Sequence, residues 1–164
     1  MEQHELVDRN GNKTGKVLTH VEARYADNIP EGYYISVVGV VIINEKNEIL
    51  LQKRSRFKRT NPSKWGICGG KVDLGEDTID TAIRETEEEI GVHLNPDDLR
   101  FLCTSQNENA YFTRYYIKKN IDLSECILQK EEVEYLKYFK LEDLKYLNNE
   151  GFDWLESLKK VMEE

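Results

Sequence analysis

Three glutamates with helical spacing suggest a metal site. Glu85, Glu88 and Glu89 stand at positions i, i+3 and i+4, which places their carboxylates within reach of one another on one helix stripe. Like charges at this spacing destabilise an isolated helix by about 0.2–0.5 kcal/mol per pair. A hard divalent cation reverses that penalty, and oxygen ligands suit Mg²⁺ or Mn²⁺. The alternative is a solvated acidic face, on which pairing of Arg84 with Glu88 reduces the repulsion between the carboxylates.

The helix that positions these acids has signals at both ends. Asp77 or Thr78 is suited to cap its start, and Gly91 to end it after about Ile90. A second stripe, which faces a core, contains Ile79, Ala82, Ile83, Thr86 and Ile90. Glu88 and Glu89 lie near the C-terminal end, where the helix dipole favours cations by about 0.3–1 kcal/mol. The helix therefore carries like charges at i, i+4 and also acids at its C-terminal end. Two unfavourable features at one place are typical of a functional site.

A basic segment interrupts an acidic chain. The net charge is −8, which disfavours duplex nucleic acid or an anionic membrane as the main partner. Against that background a basic cluster is formed by Lys53, Arg54, Arg56, Lys58 and Arg59. It is either a solvated loop or an anion site that receives phosphates, and the residues alone favour neither.

Length and composition predict one compact domain over residues 1–164, with 39% hydrophobic and 33% charged residues. The cysteines, Cys68, Cys103 and Cys126, form neither a disulfide framework nor a Cys-x-x-Cys zinc motif. No apolar run approaches the roughly 20 residues of a membrane span, and the first residues lack a signal-peptide core. We therefore expect no membrane association and a reducing, cytoplasmic location.

Hydrophobic periodicity and turn residues predict a single α/β (α+β) sandwich. An N-terminal hairpin is expected at about residues 5–19, because Asn10-Gly11 suits its turn. A dense apolar run over 33–43 is typical of a strand buried on both faces. Further strands are predicted at 48–53, 64–68, 99–105, 111–118 and 133–139, and further helices at 141–147 and 152–162.

Read from Gly70, the chain has five residues, then Glu76, seven residues, then Arg84-Glu85-Thr86-Glu87-Glu88-Glu89-Ile90-Gly91-Val92. This segment, 70–92, resembles the Nudix box. One position departs from it, because Thr86 stands where an aliphatic residue is usual. Thr86 lies on the core stripe and can present its methyl group inward. The resemblance implies the Nudix fold, a mixed β-sheet sandwiched between α-helices.

The resemblance also implies roles for individual residues. Glu85, Glu88 and Glu89 correspond to acids that bind the metal ions, and Glu85 is our candidate among them for activating water. Gly69 corresponds to a residue whose backbone carbonyl is a further metal ligand. Arg84 corresponds to an arginine that holds a catalytic glutamate in place.

Other residues complete the expected site with weaker support. A further glutamate from a downstream loop acts as base or ligand in many Nudix proteins, and we choose Glu132 over its neighbours Glu131 and Glu134. Arg54 and Lys71 are candidates for contacting substrate phosphates, the alternative being surface salt bridges. Four aromatic residues either stack on a nucleobase or pack in the core: Tyr111, Phe112, Tyr115 and Tyr116. The histidines, His4, His20 and His93, are interpreted as ordinary surface residues.

These inferences favour metal-dependent hydrolysis of a diphosphate linkage, in a nucleoside diphosphate joined to another moiety. One alternative is isopentenyl-diphosphate isomerase, which has a Nudix-like fold and uses a cysteine placed like Cys68, but has a degenerate box. The N-terminal Leu6-Val7-Asp8, Asn10-Gly11 and Thr14-Gly15 also resemble the isomerase-like branch. With the box intact, the resemblance favours a hydrolase of that branch, in which Cys68 is a small buried hydrophobic residue. A second alternative is a non-catalytic nucleotide-binding module. The oligomeric state stays open, a homodimer included.

Overall fold

The computed structural model describes residues 2–147 and 152–163. In chain order its elements are β1 (Gln3–Val7), β2 (Lys13–Thr19), β3 (Ile35–Ile43), β4 (Glu48–Arg54), β5 (Trp65–Gly66), β6 (Cys68–Lys71), α1 (Thr78–Ile90), β7 (Arg100–Gln106), β8 (Ala110–Lys118), β9 (Val133–Lys140) and α2 (Leu155–Met162). Short 3₁₀ turns lie between several of them. None of the helices formed by the described residues has the length and apolar character that a bilayer crossing requires.

The main sheet is mixed and is organised around β3. Its strand order is β5-β4-β3-β8-β7, with β6 also paired to β3 and β9 to β4. The β3–β8 pair is parallel, and the other pairs are antiparallel. Residues Val37–Val40 of β3 pair with β6, and Ile42 and Ile43 pair with β4. This arrangement places the Gly69-Gly70 pair of β6 beside the middle of the sheet.

Both faces of β3 are buried, which explains its dense apolar run. Val38 and Val40 pack in a cluster with Ala82 of α1, whereas Val41 and Ile43 pack on the opposite side with Leu158 of α2. Because successive side chains of a strand point to opposite faces, one apolar strand contributes to both clusters. The expected architecture, a mixed sheet between α-helices, is confirmed.

Helix α1 begins and ends where its sequence signals predict. The Asp77 carboxylate accepts a hydrogen bond from the Asp80 backbone N–H at 2.7 Å, and the Asp80 carboxylate accepts one from the Asp77 N–H at 3.2 Å. Gly91 ends the helix in the left-handed region, with φ of 73°. These caps fix the phase of α1, so that Ala82 and Ile90 lie in the core.

The N-terminal hairpin lies beside the segment that joins β6 to α1. Strands β1 and β2 pair antiparallel, and Leu6 of β1 is fully buried. The Val7 and Tyr34 backbones exchange two hydrogen bonds of 2.9 Å, and the Leu74 N–H donates to the Gln3 carbonyl at 2.8 Å. The hairpin is therefore anchored to the same chain segment that leads into α1.

Three predicted elements differ from the structure. The strand expected over 64–68 is two strands, β5 and β6, because the glycine pair allows β6 to lie against β3. The segment 141–147 forms a 3₁₀ helix over Leu141–Tyr146, and the helix predicted from 152 begins at Leu155. Such short segments carry too few residues for hydrophobic periodicity to define their type or their ends.

The cap of α1 is testable. Replacing Asp77 by alanine removes the acceptor for the Asp80 N–H, so we expect the free energy of unfolding to fall by about 1 kcal/mol. Urea denaturation followed by circular dichroism measures the change. Asp77→Asn keeps an oxygen acceptor and should stay close to wild type. An Asp77→Ala midpoint equal to that of wild type would contradict this role.

Candidate active site

A cleft of about 780 Å³ opens where α1, β6, the hairpin and the loop after β4 meet. Acidic side chains line it, namely Glu2, Asp73, Glu85, Glu88, Glu89 and Glu132. Basic side chains also line it, namely Arg24, Arg54, Lys58, Arg59, Lys71 and Arg84. The cleft therefore combines groups that bind a cation with groups that bind an anion.

Arg84 connects the acids at the acidic end of the cleft. Its Nε and Nη2 donate to the two carboxylate oxygens of Glu76, at 2.7 and 2.9 Å. Its Nη1 donates to Glu85 at 3.0 Å and to Glu88 at 3.2 Å, and Nη2 lies 3.4 Å from an Asp73 oxygen. These contacts raise the pKa of the guanidinium, chiefly through the hydrogen bonds to Glu76. The geometry is that of a positioning residue for Glu85 and Glu88.

Glu89 is buried, and its carboxylate accepts hydrogen bonds from a backbone N–H and from a side-chain amide. Its Oε1 accepts from the Gly69 backbone N–H at 3.0 Å and from Gln52 Nε2 at 3.2 Å. Gln52 also accepts a hydrogen bond from the buried Cys68 thiol at 3.2 Å. Gln52 was not predicted as a site residue, although an amide directly after the buried apolar run Ile49–Leu51 is a signal that a buried polar partner exists.

The glycine pair allows the carboxylates to approach the sheet. A Cβ on Gly70 would lie 2.5 Å from Glu85 Oε1, and one on Gly69 would lie 2.0 Å from the Val38 carbonyl oxygen. Only glycine leaves room at both positions. The backbone of β6 therefore lies directly against two of the three predicted metal-binding acids.

Burial makes two of these carboxyl groups hard to ionise. It raises the pKa of Glu85 to about 7, with the nearby Glu88 charge raising it further and Arg84 opposing it. It raises the pKa of Glu89 to about 8, with the Glu85 charge adding to the effect. Charged carboxylates in such a place need a compensating cation.

The residues fit a divalent metal ion. Every donor in the predicted set is an oxygen, which matches the preference of hard cations. The buried carboxyls of Glu85 and Glu89 are destabilised when charged, and a bound dication would offset this penalty. The more exposed Glu88 completes the acidic stripe.

Glu132 was chosen from three neighbouring acids as a candidate base or ligand, and it lines the cleft. Its carboxylate forms an ion pair with Lys58, and its charge contributes to the raised pKa of Glu89. Glu134 instead accepts a hydrogen bond from the Arg56 backbone N–H at 2.9 Å. Glu131 is exposed. Of the three, Glu132 is the one that lines the cleft.

The two predicted phosphate-binding residues also line the cleft. Arg54 donates to the carbonyl and hydroxyl oxygens of Thr60, at 3.1 and 3.3 Å. Lys71 lies on β6, and burial together with the charge of Arg24 lowers its pKa. Sequence reasoning did not select Arg24, because it is far from the box in the chain.

Of the four aromatic candidates, Phe112 lines the cleft. Tyr115 lies in the core and shares a 2.5 Å hydrogen bond with Thr78. One histidine prediction is wrong: His4 is 2% exposed and its Nδ1 lies 2.8 Å from the Val72 carbonyl oxygen. Its partner is 68 residues away in the chain, so no local pattern signals the burial.

Comparison with known proteins identifies the family. Residues 34–158 match the model of the NUDIX domain. An uncharacterised Nudix hydrolase of Listeria monocytogenes is 32% identical over 152 residues, which is 92% of this chain and 87% of that protein. The chain therefore belongs to the Nudix family of hydrolases, whose members generally use divalent metal ions.

Two further matches bear on the fold and on the alternatives. The Nudix domain of Shewanella oneidensis NrtR, in complex with ADP-ribose, has a TM-score of 0.65 and 22% identity, over 89% of this chain and 98% of that one. It shares the fold. Isopentenyl-diphosphate Delta-isomerase 1 of Mus musculus is 30% identical over 145 residues, covering 82% of this chain and 59% of that protein.

The raised pKa of Glu89 predicts how stability depends on pH without metal. The carboxyl titrates near 4.5 when unfolded and near 8 when folded, so the folded state binds more protons between these values. The contribution of Glu89 to stability is complete below about pH 4.5 and is lost as the pH rises towards about 8. Glu89→Gln removes this titration while keeping an acceptor for the Gly69 N–H.

We therefore expect Glu89→Gln to gain stability relative to wild type as the pH rises from about 5 to about 8 in the presence of a chelator. Urea unfolding at several pH values measures the difference. Glu87→Gln, an exposed change on the same helix, controls for the loss of a charge. A difference between Glu89→Gln and wild type that is constant with pH would contradict the raised pKa.

Proposed function

We propose that this protein is a Mg²⁺- or Mn²⁺-dependent pyrophosphohydrolase that cleaves a diphosphate linkage in a nucleoside diphosphate joined to another moiety. The observation that supports it best is one cleft that combines the acidic stripe of α1 with basic side chains. A diphosphate needs both, because its charge must be neutralised before water can attack phosphorus.

In this proposal the acidic end holds the metal. Glu85, Glu88 and Glu89, with the Gly69 carbonyl, are the proposed ligands. A divalent cation held there would neutralise charge on the diphosphate and make a water molecule easier to deprotonate. Arg84 holds Glu85 and Glu88 in position through its Nη1 hydrogen bonds. It thereby sets the geometry without contacting the reacting atoms.

The proton of the attacking water needs an acceptor within about 2.6–3.2 Å, directly or through one water. We assign this role to Glu85 or Glu132, which both line the cleft. Glu132 is paired with Lys58, so it becomes available when Lys58 turns to a substrate phosphate. Arg54 and Lys71 are the proposed phosphate contacts at the basic part of the cleft.

The same cleft supports the proposed nucleoside class. Phe112 and the aliphatic Ile29, Ile35 and Val37 line it, and they offer apolar surface for a base.

Cys68, Cys103 and Cys126 are free thiols, which supports the proposed cytoplasmic location. A homodimer is also proposed, and light scattering of the purified protein tests it.

Isomerisation of isopentenyl diphosphate is less well supported. The reaction would require Cys68 at the reacting carbon, but this thiol is buried and donates to Gln52. Burial also raises its pKa well above the ordinary value, with the Glu89 charge adding to the effect. A double-bond shift without phosphate release, abolished by Cys68→Ala, would favour the isomerase.

The second alternative, a non-catalytic module, is also less well supported, because such a module has no need for Glu85 and Glu89 to be buried together.

The proposed function is tested by a paired substitution on one helix. The Glu88→Gln/Glu89→Gln variant should lower kcat/KM for diphosphate hydrolysis by about 100-fold or more, because it removes metal ligands. Glu87→Gln, the neighbouring exposed change, should retain activity. The assay uses a panel of nucleoside diphosphate derivatives with Mg²⁺ or Mn²⁺, and measures released phosphate and mononucleotide together with intact substrate.

Two results would count against the proposal. One is undiminished turnover by a folded Glu88→Gln/Glu89→Gln variant, which would place the metal elsewhere. The other is a wild-type protein that releases neither phosphate nor mononucleotide from the panel with either metal. Tight binding of a nucleotide that survives unchanged would then favour the non-catalytic module.

A further inference from the structure

A second group of metal-ligating side chains lies on the N-terminal hairpin. His4 pairs with Leu18 across the two strands, and the His20 N–H donates to the Glu2 carbonyl at 2.9 Å. Side chains two apart on a strand point the same way, so Glu2 and His4 share a face, and His20 joins them from the opposite strand. Backbone pairing therefore holds two imidazoles and one carboxylate on a single surface.

The donor atoms of these side chains are close together. His4 Nε2 lies 2.9 Å from His20 Nδ1, which lies 3.3 Å from a Glu2 carboxylate oxygen. One donor atom from each residue falls within 4.8 Å of the other two. Within residues 2–147 and 152–163, no other trio of His, Cys, Asp and Glu side chains meets that distance.

His4 is oriented as a metal ligand would be. Its Nδ1 lies 2.8 Å from the Val72 carbonyl oxygen, which can only accept, so in the neutral imidazole Nδ1 carries the hydrogen and Nε2 keeps its lone pair. A histidine that binds a metal almost always donates its other N–H to a carbonyl or carboxylate. Asp73 adds negative charge nearby, with a carboxylate oxygen 3.7 Å from Nδ1. His4 is 2% exposed, so packing fixes this orientation.

The surroundings of His20, burial first among them, favour its neutral imidazole, which is the form that binds a metal. Burial lowers its pKa, the positive charge of Lys71 lowers it further, and Glu2 opposes both. The same Lys71 charge weakens the attraction for a cation, whereas the carboxylates of Glu2 and Asp73 strengthen it. These opposing charges influence the affinity of the site for a cation, whereas the geometry of the three donor atoms is set by the hairpin.

We propose that Glu2, His4 and His20 bind a Zn²⁺ ion at a site separate from the box glutamates. Two imidazole nitrogens with one carboxylate are a donor set typical of Zn²⁺, whereas oxygen-only sets suit Mg²⁺. Three protein ligands leave a coordination position for water or for a ligand. Because Glu2, His4 and His20 all line the cleft, that ligand is a phosphate or carboxylate group of a molecule bound there. The inference does not depend on the proposed hydrolysis.

The test is calorimetric titration of untagged, full-length protein with Zn²⁺ in excess Mg²⁺, which occupies oxygen-donor sites. We expect about one Zn²⁺ per chain, and His20→Ala should weaken binding by about tenfold or more. His20 is partly exposed, so its replacement perturbs the fold less than that of buried His4. His93→Ala, at an exposed histidine that pairs with Glu87, is the matched control and should bind as wild type does.

A second variant separates the two sites. Glu88→Gln/Glu89→Gln should bind Zn²⁺ with wild-type affinity, even though it should lose hydrolysis. At equal Zn²⁺ concentration, Zn²⁺ should also raise the Tm of wild type and of this variant by similar amounts, and that of His20→Ala by less. The proposal is overturned by absence of Zn²⁺ binding to folded wild type, or by binding that His20→Ala leaves intact. Binding that disappears in Glu88→Gln/Glu89→Gln also overturns it. Zn²⁺ binding without any hydrolysis would overturn the proposed function alone.

Discussion

The candidate site depends on the Arg84 guanidinium. Its two-point contact with Glu76 fixes its plane, and its remaining N–H group reaches Glu85 and Glu88. A lysine ammonium cannot make the same forked contact, because its donors radiate from one point. One positive charge cannot neutralise the surrounding carboxylates, so the cluster retains an excess of negative charge. That excess, next to the buried Glu89, is the main physical argument for the proposed divalent-cation site.

The second constraint on the site is the close packing of the β6 backbone. Strand β6 lies so close to β3 and α1 that side chains on Gly69 and Gly70 would clash with Val38 and Glu85. The caps of α1 then set the rotation that directs its acids towards this strand. The fold and the chemistry are therefore linked, because the contacts that pack β6 into the sheet also bring the Gly69 N–H within hydrogen-bond distance of the Glu89 carboxylate.

Local patterns predicted the parts of the site that lie close together in the chain. The acidic spacing and the caps of α1 are such patterns, and they define the helix and its stripe. Long-range partners were not predictable in this way: Gln52 meets Glu89 across 37 positions, and His4 meets Val72 across 68. The strand over 64–68 was placed incorrectly for a related reason, since β6 forms only where Gly69 fits against β3.

The most direct test of the account is the position of the metal itself. A crystal grown with Mn²⁺ and measured for anomalous scattering reveals the ion independently of any activity. We expect a peak within coordinating distance of the Glu85, Glu88 and Glu89 carboxylates, and its loss in crystals of Glu88→Gln/Glu89→Gln. A well-ordered crystal with saturating Mn²⁺ and no peak between those side chains would contradict the central claim.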